Sequence, residues 1–568
     1  MGYFFSVVFI VALRLGIWKF FPDLGSMLKD PLSNMIIASL IFGLAFFFCI
    51  SKMFRREGLV RTSLEAPLAL WVASGAISLA WTPDPCASVR ELIMFLAYIL
   101  FFYILLDLFR QDGLRRAFIW VFFGLSVIVA AVGVNDIILL NRVSAEAVES
   151  ARLTDESLYY ILTHKRACSI FGWPNVLAGF LMLVLPLLPV LWINARSRLA
   201  RILVLAGSGV IAGAFFFTFS VLGWTVFLLT ALVVAVMLVR SNDISLPPGT
   251  RRWLAVGAAL VIILFGLVVM RKDFAASLSP RRDYVHVLGQ VIALHPWRGS
   301  GFGAYRLASA PFVTTHDGVS AFPHNAYGQV WAETGMPGLA AILWLVMAFG
   351  FMAARAWRQN TGAREDRWFM VAVVTGMSAF LVDNINSFTM LKPNIAFFFW
   401  VWLALACSYL MPSGQPLPLA APWRRWSMAV VACAALLGLG VSACSLASLW
   451  ASRAGTSAFY AGQQTAAEAA FRRARFLDPL DASPAAALGQ VYLDAFRRTG
   501  QAVWLDRAEA AFRAAAARSP AMYSYQLTLG FMAQARGDQA RAQDFFARGR
   551  SLSPYEAARD LAAASRRP

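Results

Sequence analysis

Three stretches of this chain carry side chains whose types and spacing suit chemistry. The first reads Arg166-Ala-Cys-Ser-Ile-Phe-Gly-Trp-Pro-Asn175. The second reads Ser279-Pro-Arg-Arg-Asp-Tyr-Val-His-Val-Leu-Gly-Gln-Val-Ile-Ala-Leu-His-Pro-Trp-Arg-Gly-Ser-Gly-Phe-Gly-Ala-Tyr305, and the third Pro323-His-Asn-Ala-Tyr-Gly-Gln-Val-Trp-Ala-Glu-Thr-Gly-Met-Pro-Gly338. Arginine forks bind phosphate oxygens in pairs and stay ionised, so Arg166 and either Arg281 or its neighbour Arg282 are candidate anion holders. His324, with an ordinary pKa of about 6.5, is the candidate to take a proton from a hydroxyl. Tyr284 stands beside the arginines. Asn325 and Asn175 are read as setters of local backbone geometry. Glu333 either orients His324 or caps a helix. Asp383, with Asn384 and Asn386, ends an apolar block; an ionisable group there is a site candidate by default, with snorkelling to the interface as the alternative. His164, His286, His295 and His316 are read as structural or solvated. Gly299-x-Gly301-x-Gly303 suggests a backbone-permissive turn after a short helix. No strand precedes it, so it is not a dinucleotide fingerprint. The six cysteines show no CxxC or His/Cys ligand spacing, and no metal site or cofactor is expected.

What must position these residues is a membrane bundle. The chain has 568 residues, 59% of them apolar and 14% charged, and the apolar ones come in blocks. Blocks of roughly 18 to 25 are what a ~30 Å hydrocarbon layer requires. Thirteen spans are predicted, near 3–21, 33–51, 66–81, 91–109, 117–139, 173–194, 202–218, 221–239, 253–270, 336–354, 368–387, 394–411 and 427–447. Tyr3 to Phe21 lacks a following small-residue cleavage site and reads as a retained span. The net charge of +19 lies between the blocks and in an Arg-rich tail, without an aromatic-interleaved basic domain, so the expected partner is the lipid bilayer and not nucleic acid.

Positive charge orients the bundle. With a cytoplasmic N-terminus, the even-numbered connections hold 19 Lys and Arg residues, from Lys52 to Arg425. The short odd-numbered ones hold four: Lys19, Lys29, Arg90 and Lys392. Two long connections, 140–172 and 271–335, then face outward together with everything after the last span. The expected organisation is a transmembrane domain over 1–448 and an outward domain over 449–568.

That last domain is Ala- and Arg-rich and repetitive. Segments beginning at Ala469, Ala510 and Gln543 end at Pro479, Pro520 and Pro554. The pattern resembles tetratricopeptide repeats, helical hairpins that stack into a concave surface. It would serve either to dock polysaccharide export or assembly proteins or to cap the last span.

Taken in order, the arginine, then His-Pro-x-x-Gly-x-Gly-x-Gly, then His-Asn-x-Tyr with Glu-x-Gly-x-x-Gly, resembles the core of the O-antigen ligase/polymerase family. The segment from Arg166 through Asn175 to Ala178 is similar to that family's other arginine motif. The resemblance covers roughly residues 150 to 400. It implies an all-α, GT-C-like bundle in the bacterial inner membrane. It also implies metal-independent transfer of a glycan from an undecaprenyl-diphosphate carrier to an acceptor on the periplasmic side, with Arg166, Arg281 and His324 as key residues. The family's aromatic four after its arginine is Val285 here, with Tyr284 just before it, which leaves Arg282 as the alternative to Arg281. The acceptor is left open: lipid A–core for a ligase, another glycan for a polymerase, or a protein hydroxyl. Outside this class stand two alternatives, a lipid-linked sugar flippase or transporter and a non-catalytic membrane anchor for the repeat scaffold.

Overall fold

The computed structural model describes residues 2–15, 31–58, 60–141, 165–240, 272–315, 322–359, 364–411 and 421–565. These residues form helices and no sheet, as expected of an all-α polytopic protein. Among the described residues, eight helices are long and apolar enough to cross a membrane. The predicted span at 253–270, most of the 140–172 connection, His164 and His316 lie outside the described residues.

The bundle comprises α1 (Gly2–Arg14), α2 (Leu32–Arg55), α3 (Glu65–Ser78), α4 (Pro85–Phe109) and α5 (Asp112–Leu140). Next come α6 (Pro174–Val184), α7 (Leu187–Asn194), α8 (Arg198–Phe217), α9 (Val221–Arg240) and α10 (Lys272–Leu294). It closes with α11 (Ala326–Gln359), α12 (Arg364–Asp383), α13 (Pro393–Leu410) and α14 (Ala421–Tyr460). The sixth predicted span is α6 and α7 in line, interrupted at Leu185 and Pro186, because proline has no N–H for the helical ladder. Helix α13 is buried along almost its whole length and acts as the central post. Phe397 and Trp400 pack on α4, with Phe101 stacked on Phe397 at 5.0 Å. Trp402 reaches Phe122 of α5 at 5.5 Å.

The two ends of the bundle differ in chemistry. At one end the connections rich in Lys and Arg are tied down by carboxylates: Lys52 to Asp107 at 2.7 Å, Arg115 to Asp366 at 3.3 Å and Arg116 to Glu365 at 3.2 Å. At the other end gather residues 79–90, 165–175, 218–220, 295–315, 322–325 and 384–393. All three chemistry-bearing stretches are at that end.

The last membrane helix does not stop where the composition changes. Helix α14 runs without a break from Ala421 to Tyr460, through the expected boundary at 448. Its end forms the first hairpin of the tail with α15 (Gln464–Leu477). Two more hairpins follow, α16 (Ser483–Thr499) with α17 (Ala502–Arg518) and α18 (Tyr523–Ala535) with α19 (Gln539–Leu552), before the closing α20 (Pro554–Ser565). Each hairpin repeats one contact, a glycine on the first helix under a phenylalanine ring on the second: Gly455 with Phe471, Gly489 with Phe512, Gly530 with Phe546. Any Cβ at these glycines would come within 2.8 Å of the ring.

A polar latch fixes the tail to the bundle. Arg90 of α4 donates to both Asp478 and Asp481 at 2.9 Å, Ser445 donates to Asp478 at 2.7 Å, and Cys86 lies beside them. Arg90→Ala strands two shielded carboxylates, and charge-assisted bonds of this kind contribute about 1.5–3 kcal/mol each. The expected result is faster proteolytic release of the 461–565 segment from purified protein, measured against wild type.

Candidate functional site

The helix carrying the third stretch is itself broken. Inside α11, Gly335 adopts φ 70° and ψ −169°. The break frees the carbonyls of Ala332 and Glu333, and buried carbonyls need donors. The glycine-rich turn supplies them: Ser300 N donates to Ala332 O at 2.8 Å and Gly301 N to Glu333 O at 2.9 Å. Pro296 O accepts in return from Met336 N at 3.0 Å and Trp331 Nε1 at 2.9 Å. The same turn is pinned to α3 and the connection after it, where Phe302 N meets Ser78 Oγ at 2.9 Å and Trp81 Nε1 meets Gly299 O at 3.1 Å. The turn is thus a knot joining three segments. At Gly299, φ is +71° and a Cβ would stand 2.3 Å from Glu333 O. Gly299→Ala is therefore expected to cost about 3 kcal/mol or more, combining left-handed strain with a backbone collision. The measurement is the thermal unfolding midpoint of detergent-purified protein. A midpoint equal to wild type's contradicts the knot.

His324 sits between this knot and the end of α12. Asn325 caps α11, its Oδ1 accepting from Gly328 N at 2.8 Å. Ala326 N is shared by the carbonyls of Asn384 and Ser387, at 3.0 and 2.9 Å. That grip holds His324 at φ +53°, a left-handed conformation costing a non-glycine residue about 1–2 kcal/mol, the kind of strain that collects at functional sites. The imidazole is stacked on Tyr284 of α10 at 4.9 Å and meets the edge of Phe388 at 4.7 Å. Arg281, one turn before Tyr284, is close enough to act electrostatically on both His324 and Asp383. Asp383 is buried and hydrogen-bonded to Ser387. Burial, and then the Arg281 charge, push the His324 pKa down to about 4, leaving the ring neutral at pH 7. Arg282 points into solvent. Arg281, Tyr284, His324, Asn325 and Asp383 therefore share one patch.

Arg166 occupies the neighbouring corner. Its Nε donates to Thr218 O at 2.7 Å, and its far nitrogen donates to Phe219 O at 3.1 Å and Asn175 Oδ1 at 3.2 Å. It thereby ties the end of α8 to the start of α6. Asp136, which the sequence reading passed over, accepts from Ser169 N at 2.6 Å and hooks this segment onto α5. The connection 384–392 joins the two corners. Its Phe388 touches His324, its Thr389 faces Gly179 of α6, and its Lys392 lies 5.8 Å over the Trp173 ring.

Glu333 lies elsewhere. It accepts from Gly303 N and Gln329 Nε2, both at 2.9 Å, bracing the knot from inside, and it lines a cavity together with Glu91. Glu91 was also passed over. A lone acid in an apolar block signals little until its neighbours are known.

The fold defines a multi-pass membrane protein, and this patch gathers Arg281, Tyr284, His324, Asn325 and Asp383 at one end of its bundle. A family model described as O-antigen ligase matches residues 206–343 of the chain. The match takes in Arg281, Tyr284, His324, Asn325 and Glu333, while Arg166 and Asp383 fall outside it. No curated protein matches the chain. The matched segment supports membrane glycan-transferring chemistry of the ligase or polymerase type.

Proposed function

We propose that this protein moves a glycan from an undecaprenyl-diphosphate carrier to an acceptor hydroxyl at the periplasmic face of the bacterial inner membrane. The observation carrying this reading is the His324 imidazole, neutral and clamped between two rings, with the Arg281 guanidinium beside it. The acceptor oxygen attacks the anomeric carbon and His324 takes its proton. The bond from that carbon to the carrier's phosphate oxygen breaks, and undecaprenyl diphosphate leaves with the electron pair. Arg281 and Arg166 hold the negative charge that grows on it, usually the largest catalytic contribution in such sites. The permanent charge of arginine suits this role without a metal ion. Asp383 positions Arg281, and Asn325 sets the His324 backbone.

A base with a pKa near 4 is weak, and the bound donor corrects this. The diphosphate offsets the Arg281 charge that helps to depress His324, so its pKa rises in the complex. Activity depends on neutral His324 and is lost as pH falls through that pKa. The acid limb of kcat/KM is expected near pH 4 to 5, and that of kcat distinctly higher. Coincident limbs, measured on purified enzyme, contradict the coupling.

The test of function is the glycolipid profile of a deletion strain. Loss of long-chain lipopolysaccharide with accumulating lipid-linked polymer identifies a ligase; accumulating single lipid-linked repeat units identify a polymerase. Unchanged lipopolysaccharide, exopolysaccharide and protein glycosylation contradict the proposal.

A further inference from the structure

Below the glycine knot lies a cavity of about 270 Å³, enclosed by α3, α4, α11, α13 and the 302–306 turn. The proposed transfer does not use it. Its walls are aromatic: Trp71, Phe95 and Trp400 form one corner, with Phe95 4.7 Å from Trp71 and 5.7 Å from Trp400. Its lining holds donors as well as acceptors: Tyr305 and Arg306 border it, and Trp71 Nε1 has no partner among the described residues. Gln329 is only 5% exposed, its Nε2 is spent on Glu333, and its Oε1 has no partner. No donor among the described residues reaches the Glu91 carboxylate, whose electrostatic neighbours are Glu333 and Arg14.

We infer that this cavity is a binding subsite for one uncharged sugar unit of the acceptor glycan, a deepening that rests on the transfer reading above. Sugar rings combine apolar C–H faces, which lie on aromatic rings, with hydroxyl donors, which Glu91 and Gln329 Oε1 lack and need. A buried acceptor left unmet is costly, so a hydroxyl donor is drawn there. Two acidic side chains facing one cavity disfavour phosphate and uronate groups, with Arg306 as the cation in its lining, which separates this subsite from the one that holds the diphosphate. A bare cation fits poorly, because the space is several times that of an ion or a water and Glu333 is already engaged by backbone N–H groups. The subsite adjoins the reacting patch: Phe322 lines the cavity and stacks at 4.6 Å on Phe388, whose ring touches His324. A sugar held here carries its glycan's end toward the base.

The experiment is saturation-transfer NMR on the full chain in nanodiscs, with a panel of neutral methyl hexosides and N-acetylhexosaminides beside the matching methyl uronates. The expected result is saturable transfer to at least one neutral glycoside and none to its uronate. Glu91→Gln should weaken that binding at least fivefold with an unchanged unfolding midpoint, whereas Arg281→Ala keeps sugar binding and loses transfer activity. No binding to any neutral glycoside overturns the subsite. So does equal binding of uronates, full binding by Glu91→Gln, or competition of sodium ions for the signal. Intact sugar binding in a protein that transfers nothing sinks the transferase reading and leaves the subsite standing.

Discussion

His324→Ala lowers glycan transfer by roughly 10²–10⁴-fold, the range a positioned general base contributes. The loss falls on kcat, because Tyr284, Phe388 and the Ala326 N–H bonds shape the surroundings without the imidazole. Stability should hold or rise slightly, since alanine sheds the same left-handed strain no better but buries no polar ring. The discriminating variant is His324→Gln, which keeps a hydrogen-bonding side chain of similar reach and cannot serve as a base near neutral pH. The account expects it to be as inactive as alanine, assayed with purified enzyme, lipid-linked donor and acceptor. A glutamine variant with more than a tenth of wild-type activity would demote His324 to positioning.

The second large effect is at Arg281. Arg281→Lys keeps the charge and loses the fork, and it also changes the partner of Asp383. A lysine ammonium is a compact point charge that cannot hold two phosphate oxygens of a departing diphosphate at once. The expected result is a fall in kcat of about 10²-fold or more, in line with loss of one donor to developing charge. Arg282→Lys, on a side chain in solvent, should stay within about threefold by the same reasoning on exposed charges. An Arg281→Lys variant as active as wild type would mean that net charge alone suffices there.

The grouping of the candidate residues was legible because its parts are coded close together. Arg281 and Tyr284 on α10 and His324 just before α11 belong to two stretches whose order is itself a signature, and Asn325 sits where a cap must sit. The glycine turn announced a permissive backbone, though not its purpose. Its donors meet carbonyls freed by a break at Gly335, one residue before the predicted start of the tenth span, and the helix already begins at Ala326. Other parts could not be read. Glu91 and Arg14 are single charged residues in or beside apolar blocks, and their surroundings come from other helices: Glu333 for Glu91, and Asn34 and Tyr98 for Arg14. The passage of α14 into the first hairpin was hidden for a different reason: composition turns from apolar to Ala- and Arg-rich, yet both compositions favour helix. The hairpins themselves follow the spacing of Pro479, Pro520 and Pro554, each at or just beyond the end of a second helix.

The most direct measurement is single-turnover reaction of the reconstituted protein with labelled undecaprenyl-diphosphate glycan and acceptor, in the presence of a chelator. The expected result is labelled glycan on the acceptor and release of undecaprenyl diphosphate, one for one. Donor that remains intact, including donor that has merely changed leaflet, would contradict it.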